Sequence, residues 1–216
     1  NEYGIFRGEK KIGGKDEQEV YASVGLPFIP PELREDRGEI EAALEGKPPH
    51  LVEHRDVRGD FHVHSHYSDG AATLEEIAKK AEAMGLEWVA ICDHSQSLKI
   101  AGGLSLARME EKILAIQKIN RKSKKVKLLC GSEVDISNDG GLDYPDELLR
   151  KLDVVIAAIH SGFKQDEKTL TSRIMKAMRH PRVHSIAHPT GRLIGERDAY
   201  AVNLEMVLEE AAQTNT

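Results

Sequence analysis

Residues 60–70 read Asp60-Phe61-His62-Val63-His64-Ser65-His66-Tyr67-Ser68-Asp69-Gly70, and the fold turns on how they are read. Val57, Phe61 and Val63 alternate with Arg58, Asp60, His62 and His64, which predicts a strand over 57–64 that runs into a loop. Alternate side chains of a strand point to opposite faces, so His62 and His64 stand side by side on one face. Asp69 follows five residues after His64 and adds a carboxylate. Neutral imidazole with carboxylate suits zinc, manganese or iron better than calcium. A His-rich surface strand with no ligand role would read the same way, so the stretch alone leaves both readings open.

The chain beyond it decides between them. Thr73 and Glu76 form a capping box, and Leu74, Ile77, Ala78 and Ala81 make a helical stripe that stops at Gly85. A second strand, 88–92, ends in Asp93 and His94. Ser105 starts a longer helix with Leu106, Met109, Ile113 and Ile116 on one side. A third strand, 126–131, leads to Glu133, and a fourth, 154–159, to His160. A helix over 166–179 precedes a fifth strand, 183–187, which ends at His188, and a last helix spans about 203–212. Repeated strand-then-helix units predict an α/β fold with a parallel sheet. An α/β barrel is favoured because each strand delivers a polar residue at its C-terminal end, where barrels gather their active sites. A lone buried His is more often a hydrogen-bonded core residue, but consecutive strands all ending in His or Glu point to a metal centre. His50, His54, His180 and His184 fall in loops or at strand starts and read as surface residues; His66 lies in the loop beside the site.

Composition narrows the rest. Of 216 residues, 40% are hydrophobic and 31% charged, and no apolar run approaches the ~20 residues of a spanning helix, so no membrane partner is expected. Cys92 and Cys130 each sit in an apolar run and are expected as buried free thiols of a reducing compartment. The formal charge of −6 makes no global case for nucleic acid, although bound cations would reverse its sign locally. The basic run Arg121–Lys127 reads as a solvated helix end. Residues 1–55 differ from the rest: glycine punctuation, a proline-rich irregular stretch, a short helix over 39–44 and a linker. With no initiator Met and no core of its own, this segment is expected to be a remnant of a preceding domain or a strap, and the chain a piece of a longer protein.

His62-Val63-His64, Ser68-Asp69-Gly70, Asp93-His94, Gly131-Ser132-Glu133, His160-Ser161 and His188-Pro189-Thr190-Gly191-Arg192 resemble the successive motifs of the PHP (polymerase and histidinol phosphatase) domain, over residues 57 to about 212. The run 187–197 (AHPTGRLIGER) and the upstream 25–35 (GLPFIPPELRE) are similar to the C-terminal part of bacterial and archaeal family X, polymerase-beta-like DNA polymerases. The resemblance implies that residues 1–55 are the end of the polymerase core plus a linker, and that 56–216 are the PHP domain. It implies a distorted seven-stranded (β/α)7 TIM-like barrel with up to three divalent metals, manganese or zinc with magnesium as a further choice. His62, His64 and Glu133 would bind the first metal; Glu133, as a bridge, would share the second with His160 and His188; Asp69 and His94 would bind the third. The implied activity is manganese-dependent 3′–5′ exonuclease and 3′-end or abasic-site processing in base excision repair, on DNA with 3′ ends, gaps or abasic sites, in the cytoplasm. A final Asp-x-His motif of the family has no counterpart before Thr216. The expectation is therefore a truncated barrel with at most two metals, weak activity, and an unpaired sheet edge open to self-association.

Phosphoester hydrolysis fits such a site, because paired metals activate water and stabilise phosphoryl charge. Glu133 is the expected catalytic carboxylate. Arg192, four residues beyond His188, would hold a phosphate oxygen in bidentate fashion or make only a surface salt bridge; Lys164 has a weaker claim of that kind. The rival readings are a small-molecule phosphomonoesterase of the histidinol-phosphatase type and a non-catalytic module supporting the polymerase core.

Overall fold

A glycine-turned hairpin opens the computed structural model, which describes residues 3–123 and 125–216 and divides into two compact units, Asn1–Glu53 and His54–Thr216. In the first unit β1 (Ile5–Arg7) and β2 (Lys10–Gly13) pair antiparallel around Gly8, whose φ of +64° is left-handed. Helix α1 (Glu17–Ser23) follows, capped by the Asp16 carboxylate, which accepts from the Glu19 N–H at 3.0 Å. Arg34 donates to both oxygens of Glu17 at 3.2 and 2.8 Å and lies over the Tyr21 and Phe28 rings. The glycine-punctuated segments are this hairpin, α1 was not anticipated, and α2 (Glu39–Leu44) lies where it was expected. Among the described residues Ile29 and Ala43 are the buried apolar side chains of this unit, too few for a core.

The second unit runs β3 (Gly59–Val63), α3 (Leu74–Ala83), β4 (Trp88–Ile91), α4 (Leu106–Lys122), β5 (Lys127–Asp135), α5 (Asp146–Leu149), β6 (Val154–Ala158), α6 (Glu167–Met178), β7 (Ser185–Ile186) and α7 (Leu204–Thr214). All five strands are parallel and lie side by side in chain order. Sequential order with crossovers of one hand keeps the helices on one face and curls the sheet as a barrel is wound. The predicted α/β, TIM-like class is what the structure has. In place of the seven strands of a (β/α)7 barrel, the described residues supply five to this sheet.

Alternation sorts the strand side chains into two cores. Val89, Ile91, Leu128, Cys130, Val155 and Ala157 join Met109, Ile113, Ile116, Leu170 and Ile174 of the covering helices. The intervening Ala90, Cys92, Val154 and Ile156 make a separate small cluster on the other face. That face is tight at Gly131, where a Cβ would come within 2.6 Å of the Cys92 sulfur. Both thiols are free and buried, as expected, and burial pushes Cys92 up to about 12 and Cys130 up to about 11.

The first strand starts at Gly59 rather than Val57, and Val57 and Phe61 are exposed. The reason is position: β3 is an edge strand, and Phe61 finds its partner in the Trp88 ring, edge-on at 6.0 Å. β5 extends to Asp135, four residues further than predicted, while β7 shortens to two residues. Helix starts were the most legible feature. Thr73, Ser105, Asp166 and Asn203 each accept from the N–H three residues on, with the reciprocal capping box at Thr73–Glu76. Among the described residues no helix is long and apolar enough to cross a membrane.

Candidate metal centre

The same alternation, continued along β5 and past the ends of β4 and β6, sends His94, Glu133 and His160 to the face of the small cluster, where they meet His62, His64 and His188. Glu133 is the hub, only 3% exposed. Its Oε2 lies 3.2 Å from His62 Nε2, 3.3 Å from His64 Nε2 and 3.3 Å from His94 Nδ1. Its Oε1 lies 3.3 Å from His160 Nε2 and 2.7 Å from His188 Nε2. The loop after β3 returns Asp69 to the rim: Oδ1 is 2.8 Å from His64 Nδ1 and Oδ2 is 3.5 Å from His94 Nε2. Gly70 is required there, since a Cβ would collide with the His64 carbonyl. His188 holds a left-handed φ of +31°, a strained backbone for a non-glycine residue at a site.

Three sets of donors lie within 4.8 Å of one another: His62, His64 and Glu133; His64, Asp69 and His94; His94, Glu133 and His160. The first set is the one the family resemblance implies; His64 joins Asp69 and His94 in the second, His94 also lies with Glu133 and His160 in the third, and His188 Nε2 faces the Oε1 atom of Glu133 that His160 also faces. Arg192 lies outside the cluster, exposed in the loop beyond His188, its backbone N–H donating to Thr190 Oγ1 at 3.5 Å. Lys164 is exposed as well, and His66 is exposed beside the Tyr67 ring. His180 pairs with Asp146, and His184 Nδ1 accepts from the Val155 N–H at 3.1 Å, both away from the site.

The residues fit a divalent cation. His94 Nδ1 is buried and has no hydrogen-bond partner, although it faces Glu133 Oε2. The Nε2 atoms of His62 and His64 converge to 3.0 Å, with the same carboxylate oxygen before both. Asp69 and Asp135 engage Nδ1 of His64 and His160, which leaves Nε2 of each ring to face the centre. Burial alone would push Glu133 up, but hydrogen bonds from His160, His188, His62 and His64 outweigh it and hold the carboxyl well below the usual range. Burial likewise opposes the charged form of His160, yet Asp135 and Glu133 raise it to about 9. His64 is raised for the same reason, and His94 is lowered by burial. The cluster thus keeps a buried carboxylate ionised and surrounds it with imidazoles that a cation can displace from their protons.

Sequence reading missed Asp135 and Lys112. Asp135 sits two residues after Glu133, the period that returns a strand to the same face. Lys112 interrupts the apolar stripe of α4 between Met109 and Ile113, and a lysine in a buried stripe was the signal.

Residues 60–214 match the PHP domain, and residues 1–35 match the DNA polymerase beta thumb. The chain is 42% identical, over 219 aligned positions, to the DNA polymerase/3′-5′ exonuclease PolX of Bacillus subtilis (strain 168), covering all of this chain and 38% of that protein. It is 32% identical to a probable phosphatase of Syntrophotalea carbinolica, covering 73% of this chain and 62% of the relative. The chain therefore spans less than two thirds of the length of either. Among solved structures, histidinol phosphate phosphatase from Lactococcus lactis, crystallised with zinc, L-histidinol and phosphate, aligns with a TM-score of 0.50 at 17% identity, over 73% of this chain and 70% of that one. A histidinol phosphatase from Listeria monocytogenes aligns at 0.51 and 12%, over 72% and 76%. At such identities the likeness concerns the fold. The strand-end cluster and the family match over residues 60–214 agree: this chain belongs to the PHP domain family.

Proposed function

We propose that the cluster binds divalent metal ions, manganese or zinc, and that in its parent protein it hydrolyses phosphodiesters at DNA 3′ ends. The observation that carries this is Glu133, one buried carboxylate whose two oxygens face different sets of imidazoles, as a carboxylate shared between two cations would. Bound metals would supply a low-pKa water and Lewis-acid stabilisation of phosphoryl charge. The chain's own residues do the rest. His62, His64, His94 and His160 would offer ring nitrogens to the centre once a cation has displaced any proton they carry, with Asp69 on the exposed side. His188 orients Oε1 of Glu133 by its 2.7 Å contact. Arg192, on the loop beyond His188, is proposed to reach a phosphate oxygen of the substrate.

The DNA substrate is supported by the thumb match over residues 1–35 and the PolX relative. We accordingly assign residues 1–55 to a polymerase core with its linker and 56–216 to the phosphoesterase. Base excision repair, with gapped or abasic DNA as substrate, is the process this suits. The probable phosphatases among the relatives favour one alternative, a small-molecule phosphomonoesterase. Assays of the full-length protein with Mn2+ decide between them. We expect release of nucleotides from a 3′-recessed duplex, abolished by Glu133→Gln, with little phosphate released from histidinol phosphate. The reverse pattern overturns the DNA reading.

A further inference from the structure

Lys112 is wholly buried on the inner face of α4, and all three of its N–H donors are used. Nζ donates to the Ile91 carbonyl at 3.0 Å, to Asp93 Oδ2 at 2.8 Å and to the Gly131 carbonyl at 2.9 Å. Ile91 ends β4 three residues before His94, and Gly131 lies in β5 two residues before Glu133. Asp93 carries the link onward. Its Oδ1 accepts from the Ser65 N–H at 2.7 Å and Ser68 Oγ at 2.8 Å, and its Oδ2 from Ser65 Oγ at 2.9 Å. Ser65 and Ser68 are the first and last residues of the loop between His64 and Asp69, and Ser68 Oγ also lies 3.1 Å from Asp69 Oδ1. One ammonium therefore ties together three of the segments that supply the centre.

A buried ion pair is weak evidence for stability, because a well-packed apolar pair of the same volume often serves as well. The position is also one that apolar packing would fill, since Met109, Ile113 and Ile116 flank it on the same stripe. What an apolar side chain cannot do is hold two strand carbonyls and a carboxylate at fixed spacing. We propose that Lys112 is a positioning residue for the metal centre: through Ile91, Gly131 and Asp93 it sets the register of His94 and Glu133 and the pose of the His64–Asp69 loop. The proposal rests on the metal reading above. Partners that orient metal ligands from behind are worth about 10–100-fold in affinity when removed.

The test uses Lys112→Met, which keeps the aliphatic stem and removes the ammonium, and measures Mn2+ binding by calorimetry together with the visible absorption spectrum of bound Co2+. At a temperature where circular dichroism shows both proteins folded, we expect about 10–100-fold weaker Mn2+ binding and shifted Co2+ bands. Ile116→Ala, one turn along the same helix, should lower the melting temperature yet leave affinity within about twofold and the Co2+ spectrum unchanged, because only the transfer and cavity terms of a core residue are lost. Should Lys112→Met fail to fold, the isosteric Asp93→Asn weakens the arm of the network that runs from the ammonium to the His64–Asp69 loop, and it too is expected to weaken Mn2+ binding and shift the Co2+ bands. A folded Lys112→Met, or in its place Asp93→Asn, with wild-type affinity and spectrum overturns the proposal. So does Ile116→Ala losing affinity equally, which would make the effect one of stability alone. If the wild-type protein binds no Mn2+ or Co2+, the metal reading itself falls and the proposal with it.

Discussion

His94 and Glu133 are joined twice: their backbones form a parallel bridge, and their side chains meet with His94 Nδ1 3.3 Å from Glu133 Oε2. The sheet register itself thus presses a buried imidazole nitrogen against a buried carboxylate. The contact has no hydrogen bond to justify it within the protein, and a cation between the two would satisfy both.

Glu133→Ala in the full-length protein should abolish nuclease activity and leave the far-ultraviolet circular dichroism native. Among the described residues no other side chain approaches five imidazoles, so its loss disturbs every set it joins. His66→Ala, on an exposed ring beside Tyr67, should retain activity within a few-fold. Equal losses from the two would show that the ligand set is wrongly drawn.

Metal content should reach at most two ions per chain. The three donor sets share His64, His94 and Glu133, and a neutral imidazole offers one lone pair to one cation, so filling two sets starves the third. Plasma mass spectrometry on protein equilibrated with Mn2+ or Zn2+ and then dialysed measures this. Three tightly held ions per chain would refute it.

Metal uptake should release protons and strengthen as pH rises toward 9. Asp135 and Glu133 raise His160 to about 9, so this ring carries a proton at neutral pH that a metal must displace. Titration calorimetry of Mn2+ in two buffers of different ionisation enthalpy reads the protons directly. Identical apparent enthalpies at pH 7.5 would contradict the assignment.

The thiols should be inert in the folded protein and costly at alkaline pH. Burial raises Cys92 to about 12 and Cys130 to about 11, above the ordinary thiol value of about 8.5. Raised values mean that the folded state holds both protons after the unfolded chain has lost them. Their stabilisation is complete below about pH 8.5 and is lost as pH climbs from there through about 11 to 12. Urea midpoints should fall across that window, and a thiol reagent at pH 8 should label neither cysteine until the protein is unfolded.

Two residues in the sheet show where sequence reading succeeds and where it stops. Glu133 was found because a strand's period of two and its placement after an apolar run are local facts, written in the order of residues. The capped helix starts and the histidines after β4, β6 and β7 were legible for the same reason. Lys112 was read past, because a lysine on a helix is ordinarily solvated, and nothing local says that α4 turns this one onto the end of β4 and the middle of β5. The grouping of donors has the same character. Family resemblance paired Asp69 with His94, but the distances that add His64 to that set, and His94 to the set of His160, depend on how neighbouring strands register. Residue types and their period therefore settled the α/β class and pointed to the imidazoles near the strand ends. Which of them meet, which oxygen of Glu133 each one faces, and the buried ammonium behind them were decided only by tertiary packing, because those relations join residues 19 to 71 positions apart that no local pattern can bring together.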